Sequence, residues 1–272
     1  MSNKPKNIGL IVVGDEILSG RRSDKHLPKL VELLKARGMQ LSWAEYIGDD
    51  PQRIVSTLER SFASGDVVFS TGGIGATPDD HTRQCAANAL KVDLALHPEA
   101  KKLIEQRIIM MAEGDPVKAD VTTPESRQRL RMGEFPVGCE IIPNPYNQIP
   151  GFRIRDHHFL PGFPVMASPM MEWVLDTFYS DLFHANNYVE KSFIVGGAME
   201  ATFTPLMESI EGEFPNIKVF SLPSVGDSSR EGIFAKRHIE LGVKGPVEDV
   251  EISLAKLRFG VEALGGITYD LG

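Results

Sequence analysis

The spacing of apolar residues changes along the chain, and each change marks an element. Residues 8 to 13 form a nearly all-apolar run ending at Gly14, the pattern of a parallel strand covered on both faces and feeding a loop. From residue 24 to 37, Leu27, Leu30, Val31 and Leu34 return at steps of three and four, which predicts a helix stopped by Gly38. Residues 41–47 read as a second strand. Asp50-Pro51 then opens a helix with Ile54, Val55, Leu58 and Phe62 on one face and Gly65 closing it. Residues 66–70 make a third strand that runs straight into Thr71-Gly-Gly-Ile-Gly-Ala-Thr-Pro-Asp-Asp80. Beyond that loop, Cys85, Ala86, Ala89 and Leu90 give another helical stripe. This alternation predicts an α/β architecture of three layers around a mostly parallel sheet.

Further along, residues 98–113 read as a helix carrying Leu103, Ile104, Ile108 and Met111, followed by a polar stretch to Arg131. Strands at 140–143 and 158–160 flank a loop rich in Pro, Asn and Gly, and a helix at 166–178 closes the layer. Composition shifts at His184-Ala-Asn-Asn187, a polar hinge, after which the pattern restarts. Strand 191–195, helix 200–212, strand 217–222, antiparallel strand 232–241, helix 247–264 and strand 266–271 follow in the β-α-β-β-α-β order of a ferredoxin-like α+β domain. The chain thus divides into an α/β domain at residues 1–185 and a small domain at 186–272.

Composition narrows the function classes. With 272 residues and 42% apolar content the chain can bury a large core, which excludes disorder as its main state. A net charge of -8 argues against a broad nucleic-acid footprint. No apolar run approaches the roughly 18 residues a membrane helix needs, and the first six residues are polar, so a cytoplasmic location without membrane contact is expected. Cys85 and Cys139 cannot build a disulfide framework or a cysteine-ligated zinc site, and both read as buried thiols. Met110, Met111, Met170 and Met171 read as core, His157-His158 as a surface or edge pair. Arg127, Arg129 and Arg131 would share one face if extended.

The chemistry concentrates at residues 71–80. Three glycines in four residues between a buried strand and a helix let backbone amides approach and face an anion, although a tight turn without a ligand would use the same residues. The spacing is neither the dinucleotide-binding G-x-G-x-x-G nor a Walker loop. Thr77-Pro78-Asp79-Asp80 reads as a helix start, with Thr77 as N-cap and Pro78 at N1, and that alone accounts for both aspartates. Should the loop also hold phosphate, the carboxylates repel it unless a cation lies between. A shared divalent ion of the Mg²⁺ type resolves the conflict, with Asp80 as its first ligand and Asp79 either a second ligand or a cap. Gly14, Asp15, Glu16, Ser19 and Gly20 follow the first strand and should emerge at the same sheet edge, where open α/β sheets bind ligands. Asp49 follows the second strand and could join Asp80 in holding a metal or orienting water. Arg21, Arg22 and Lys25 could neutralise phosphate, or simply start a solvated helix.

Taken together, Gly14-Asp-Glu-Ile-Leu-Ser-Gly20, Gly48-Asp-Asp50, the block at 71–82 and Pro161-Gly-Phe-Pro164 resemble the molybdopterin-binding MoaB/Mog domain, closest to its CinA-like branch. The four blocks stand in family order, and the segment after them is similar to the small KH-type or ferredoxin-like domain of CinA-like proteins. The resemblance does not extend to the carboxy-terminal deamidase domain of full-length CinA. It implies that Gly14, Asp15, Glu16, Ser19 and Gly20, with Thr71, Gly72, Gly73, Gly75, Thr77, Asn144 and Gly162, line a site for the phosphate of a pterin or an ADP-containing nucleotide. Asp49 and Asp80 match acids of adenylyl transfer or metal insertion in molybdenum cofactor biosynthesis, and with Asp79 would hold a divalent metal of the Mg, Mn or Co class. CinA-like relatives also hydrolyse ADP-ribose or FAD-like pyrophosphates. The chain departs from the family pattern at Ser23-Asp-Lys-His26, where an Asn-rich helix start is usual, at Asn147-Gln-Ile-Pro-Gly151, and at Val165-Met166, where an acid is missing. Two readings follow: a homo-oligomeric, metal-dependent pyrophosphatase, or a ligand-binding regulatory protein that keeps the fold without turnover.

Overall fold

The computed structural model describes residues 7–184, 188–197 and 199–271. The polar start at 1–6 and the hinge residues 185–187 lie outside these. Two compact units are formed, Met1–Asp181 and Leu182–Gly272.

In the first unit β1 (Ile8–Val13) is buried at all six positions and is followed by a single helical turn, α1 (Asp15–Leu18). Helix α2 (His26–Ala36) buries Leu30, Leu33 and Leu34. Strand β2 (Trp43–Ile47) leads to α3 (Pro51–Ser64), where the Asp50 carboxylate accepts from the Arg53 N–H, Pro51 occupies the first turn and Gly65, at φ 76°, ends the helix. Strand β3 (Val67–Thr71), also buried throughout, precedes α4 (Thr82–Leu90). A short antiparallel ribbon joins β4 (Leu94–Leu96) to β5 (Glu134–Pro136), with α5 (Pro98–Met111) and α6 (Pro124–Leu130) between them. Then come β6 (Glu140–Ile142), β7 (Gly151–Ile154), β8 (His157–Leu160) and α7 (Pro164–Phe178).

The six-stranded sheet runs β2-β1-β3-β8-β7-β6; β2, β1, β3 and β8 are parallel, and β7 pairs antiparallel with both its neighbours. Because successive strand residues face opposite sides, full burial of β1 and β3 means that both faces are covered. Helices α2 and α7 pack together, as do α3 and α4. Phe135, Phe152 and Phe159 stack through the core at centroid distances of 4.7 and 4.4 Å.

Several expectations are corrected. The residues around Arg127 are helical rather than extended, so the alternating arginines do not share a strand face. His157 and His158 are buried, because β8 lies between β3 and β7 rather than at an edge. His157 Nε2 lies 2.9 Å from Ser61 Oγ and His158 Nε2 lies 2.8 Å from the Tyr179 hydroxyl. Burial depresses His157 to about 3 and pushes His158 well below the usual imidazole value, so both rings are neutral. Met170 and Met171 are core, but Met110 and Met111 lie on an exposed face of α5. Cys85 is buried and Cys139 half-buried, and burial pushes each thiol up to about 11.

The second unit contains β9 (Tyr188–Gly196), α8 (Thr204–Glu213), β10 (Lys218–Ser224), β11 (His238–Pro246), α9 (Val247–Ala263) and β12 (Ile267–Asp270). The sheet is antiparallel in the order β10-β11-β9-β12, so the β-α-β-β-α-β succession is realised. Gly232–Ala235 is a 3-10 turn and the third strand begins only at His238. Phe193, Val195, Leu241 and Val243 from the sheet meet Ile210, Val250, Leu257 and Val261 from the helices in its core. No helix among the described residues is long and apolar enough to cross a membrane.

Candidate functional site at the carboxyl edge of the parallel strands

Parallel pairing brings the ends of β1, β2, β3 and β8 to one edge, so the segments after Val13, Ile47, Thr71 and Leu160 converge there. The loop after β3 is packed tightly against its neighbours. Gly72 sits at φ 96° and donates to the Leu160 carbonyl at 3.1 Å; a Cβ there would strike the Val13 carbonyl oxygen. Gly73, at φ 68°, leaves no room for a Cβ beside the Thr82 hydroxyl. Gly162 lies against the Gly72 backbone.

The hydrogen bonds of this loop are lopsided. Its carbonyls are taken from behind: Thr82 donates through Oγ1 to Gly72 O at 3.0 Å and through its N–H to Gly73 O at 2.9 Å. Arg83 donates to Gly75 O at 2.6 Å and Gln128 to Ala76 O at 2.8 Å. Among the described residues, the N–H groups of Gly73, Ile74, Gly75 and Ala76 have no acceptor. Backbone donors bound to nothing while their carbonyls are fixed are what an anion site requires. Arg83 is buried and braces the loop further through the Arg131 carbonyl. Burial works against its charge, and Glu134 and Asp80 offset that penalty. Sequence reasoning missed Arg83, which looks like any other helix arginine.

Thr77 does not cap a helix. Residues 77–80 form a turn closed by Asp80 N–H to Thr77 O at 3.1 Å, and α4 begins only at Thr82. Asp80 Oδ2 accepts from the Thr77 N–H at 2.8 Å and hydroxyl at 2.6 Å, and its carboxyl lies against Gly75. It is Asp80, therefore, that caps the turn. Thr77 and the local backbone hold the exposed Asp79 carboxyl below its usual range.

Across the edge, Asp15 and Asp49 hold each other: Asp15 N–H donates to Asp49 Oδ2 at 3.0 Å and Asp49 N–H to Asp15 Oδ1 at 3.3 Å. Burial raises the Asp49 carboxyl, and the charges of Asp15, Glu16 and Asp79 raise it further, against the lowering bond from Asp15. The field at Asp49 thus comes from Asp15, Glu16 and Asp79, while Asp80 faces its own turn. Ser19 and Gly20 spend their N–H groups on Asp15 O and Ile17 O and lie exposed. Asn144 is on the same edge two strands beyond β8. Its amide is consumed in its own loop, donating to Asn147 Oδ1 and Ile149 O and accepting from the Tyr146 N–H.

Beside the ends of β1 and β3 lies a cavity of about 360 Å³, walled by Val12, Val13 and Thr71 and rimmed by Glu16, Arg22 and Lys25. His26 also lines it, with Nδ1 2.9 Å from Asp24 Oδ1. Burial works to raise the Asp24 carboxyl, but bonds from the His26 and Leu27 N–H groups, the Tyr46 hydroxyl and the His26 ring hold it below the usual range. Burial and the Asp24 charge push the Tyr46 phenol up to about 12. The sequence placed none of these three residues in the site.

The family model described as "Probable molybdopterin binding domain" matches residues 9–180. The chain belongs to this family. A competence-damage inducible protein of Clostridium botulinum is 32% identical over 60% of the chain, and the chain spans 38% of that relative's length. Protein Ta0487 of Thermoplasma acidophilum is 30% identical over 98% of both chains. The crystal structure of the protein CinA with unknown function from the same organism superposes with a TM-score of 0.53 at 27% identity, covering 63% of this chain and 98% of that one. In this molybdopterin-binding domain the glycine loop, the Asp15–Asp49 pair and the cavity all lie on one edge. Among the described residues no group of three or more His, Cys, Asp or Glu side chains is arranged to hold a metal ion. A divalent ion would therefore fit here only as one shared between one or two carboxylates and a bound phosphate, the mode in which Mg²⁺ commonly binds.

Proposed function

We propose that the molybdopterin-binding domain takes a phosphorylated pterin or an ADP-containing nucleotide at this edge, and that it cleaves the pyrophosphate of the nucleotide with a divalent metal of the Mg, Mn or Co class. One observation carries the reading: four consecutive amides, Gly73 to Ala76, have no acceptor among the described residues, while the carbonyls of Gly72, Gly73, Gly75 and Ala76 are pinned from behind. One or two of Asp49, Asp79 and Asp80 would hold the ion together with the bound phosphate, Gly73 and Gly75 would donate amides to that phosphate, and Asp15, Glu16 and Ser19 would line the opposite wall. A bound ion would screen phosphate from the carboxylates and polarise the phosphoryl oxygen. A cytoplasmic homo-oligomer serving molybdenum cofactor biosynthesis is part of the same reading.

Purified protein with ADP-ribose or FAD and Mg²⁺, Mn²⁺ or Co²⁺ should release AMP. D80N, which keeps an acceptor for Thr77, should lose turnover and retain its melting temperature. The second reading, ligand binding without turnover, is favoured by the engagement of Asp80 with Thr77. Calorimetric binding of ADP-ribose without AMP release would select it, and no binding of nucleotide or pterin under any metal condition would end both.

A further inference from the structure

His26 opens α2 and is 4% exposed. Its Nδ1 faces Asp24, whose carboxylate also accepts from the His26 N–H at 2.9 Å, the Leu27 N–H at 2.9 Å and the Tyr46 hydroxyl at 2.8 Å. A carboxylate surrounded by donors acts only as an acceptor, so Nδ1 carries a proton, and in the neutral form of the ring the lone pair is at Nε2. Nε2 is buried with no partner among the described residues, and so is Thr71 Oγ1. Both residues line the cavity of about 360 Å³, whose rim carries Arg22 and Lys25 as well as Glu16. Leaving two buried polar atoms unpaired is costly, and at a cavity wall the cost is recovered when a ligand or its attacking water bonds them. Neither the sequence blocks nor the family match gives the Asp24–His26 pair a role, and the stretch that builds it, Ser23-Asp-Lys-His26, is where the chain departs from the family pattern.

We infer that His26 is a catalytic proton acceptor of this domain, with Asp24 as its positioning residue. The inference rests on the pyrophosphate cleavage proposed above. In that step the water oxygen bonds to phosphorus and the bridging P–O bond breaks. The bridging oxygen leaves with its electron pair on the second phosphomonoester, and the water's proton passes to His26 Nε2 and then to solvent. Water is the only co-reactant and nothing is oxidised or reduced. Arg22 and Lys25 offset the phosphate charge at the rim, and the Thr71 hydroxyl donates to a phosphoryl oxygen. A proton acceptor oriented by a carboxylate at a cavity wall is the arrangement general-base catalysis uses.

The test uses the full chain with ADP-ribose and Mn²⁺. H26Q should lower kcat for AMP release roughly 10²- to 10⁴-fold, with KM little changed. H26A, which leaves space for a small base, should regain part of its rate from added imidazole, while the wild-type protein does not respond. D24N, which retains a cap acceptor for α2, should lower kcat with KM unchanged and gain nothing from imidazole. Thermal melts confirm that each variant is folded. Wild-type turnover in folded H26Q would overturn the role of His26 and leave the proposed function standing. A rise in KM with kcat unchanged would make His26 a ligand-holding group and overturn the role equally. No AMP release by the wild-type protein with any metal would end both inferences together.

Discussion

Two sets of buried histidines lie in the same α/β unit, and their surroundings differ. His157 and His158 sit in the middle of the sheet, sealed by rings: Phe62 at 4.0 Å from His157, Phe69 and Phe178 at 5.3 and 6.0 Å from His158. Their partners are hydroxyls, from Ser61 and Tyr179. His26 stands at the end of the parallel strands with a carboxylate on one ring nitrogen and a cavity beside it. Among the described residues, each of the three rings has one nitrogen without a partner. An unpaired nitrogen is therefore not what separates them. A neighbouring carboxylate and a space for a ligand are the features that make a buried imidazole usable, whereas burial among hydroxyls and aromatic rings makes one inert.

The comparison can be broken by measurement. The largest effect is expected from acid. His157 and His158 are neutral in the folded chain and take up protons when it unfolds, so the unfolded state gains as pH falls below about 6.5. Between that value and pH 5 each ring should remove about 2 kcal/mol of stability, read as a falling denaturant midpoint. A flat profile would mean that the two rings are solvated. Next is Gly72→Ala, in which a Cβ meets the Val13 carbonyl from a left-handed φ; a loss of about 3 kcal/mol or more is expected in thermal melts. Asn144→Ala should cost about 1–3 kcal/mol, since it strips the 144–149 loop of three hydrogen bonds at once. Smallest is Asp49→Asn. Its native carboxyl is raised, so the ionised form is disfavoured by folding, and the neutral amide should leave stability at pH 7 unchanged or higher by less than about 1 kcal/mol after solvent screening. A clear loss there would show that the Asp49 charge stabilises the edge.

Much of the architecture was legible. Apolar runs such as Ile8–Val13 and the punctuation by Asp50-Pro51 and Gly65 are local signals, and the structure uses them as the sequence suggested. The convergence of the 14–20, 48–50 and 71–77 segments follows from parallel pairing alone. Other features depend on contacts distant in sequence. The ribbon of β4 and β5 has three residues a side, too few to show a period, and its halves are separated by two helices. His157-His158 reads as polar and exposed until β7 and β3 enclose it. The turn at Thr77–Asp80 and a helix start use the same residues, and the choice is made by the Asp80 side chain bonding back to Thr77. Asp24 and His26 face each other only because α2 begins at His26 rather than two residues earlier.

The reciprocal bonds between Asp15 and Asp49 have a kinetic consequence. Each side chain secures the other's amide, so the segments after β1 and β2 are fastened like two links of one chain, and moving one away from the other costs both bonds. Opening on that side of the edge is then expected to involve both segments together.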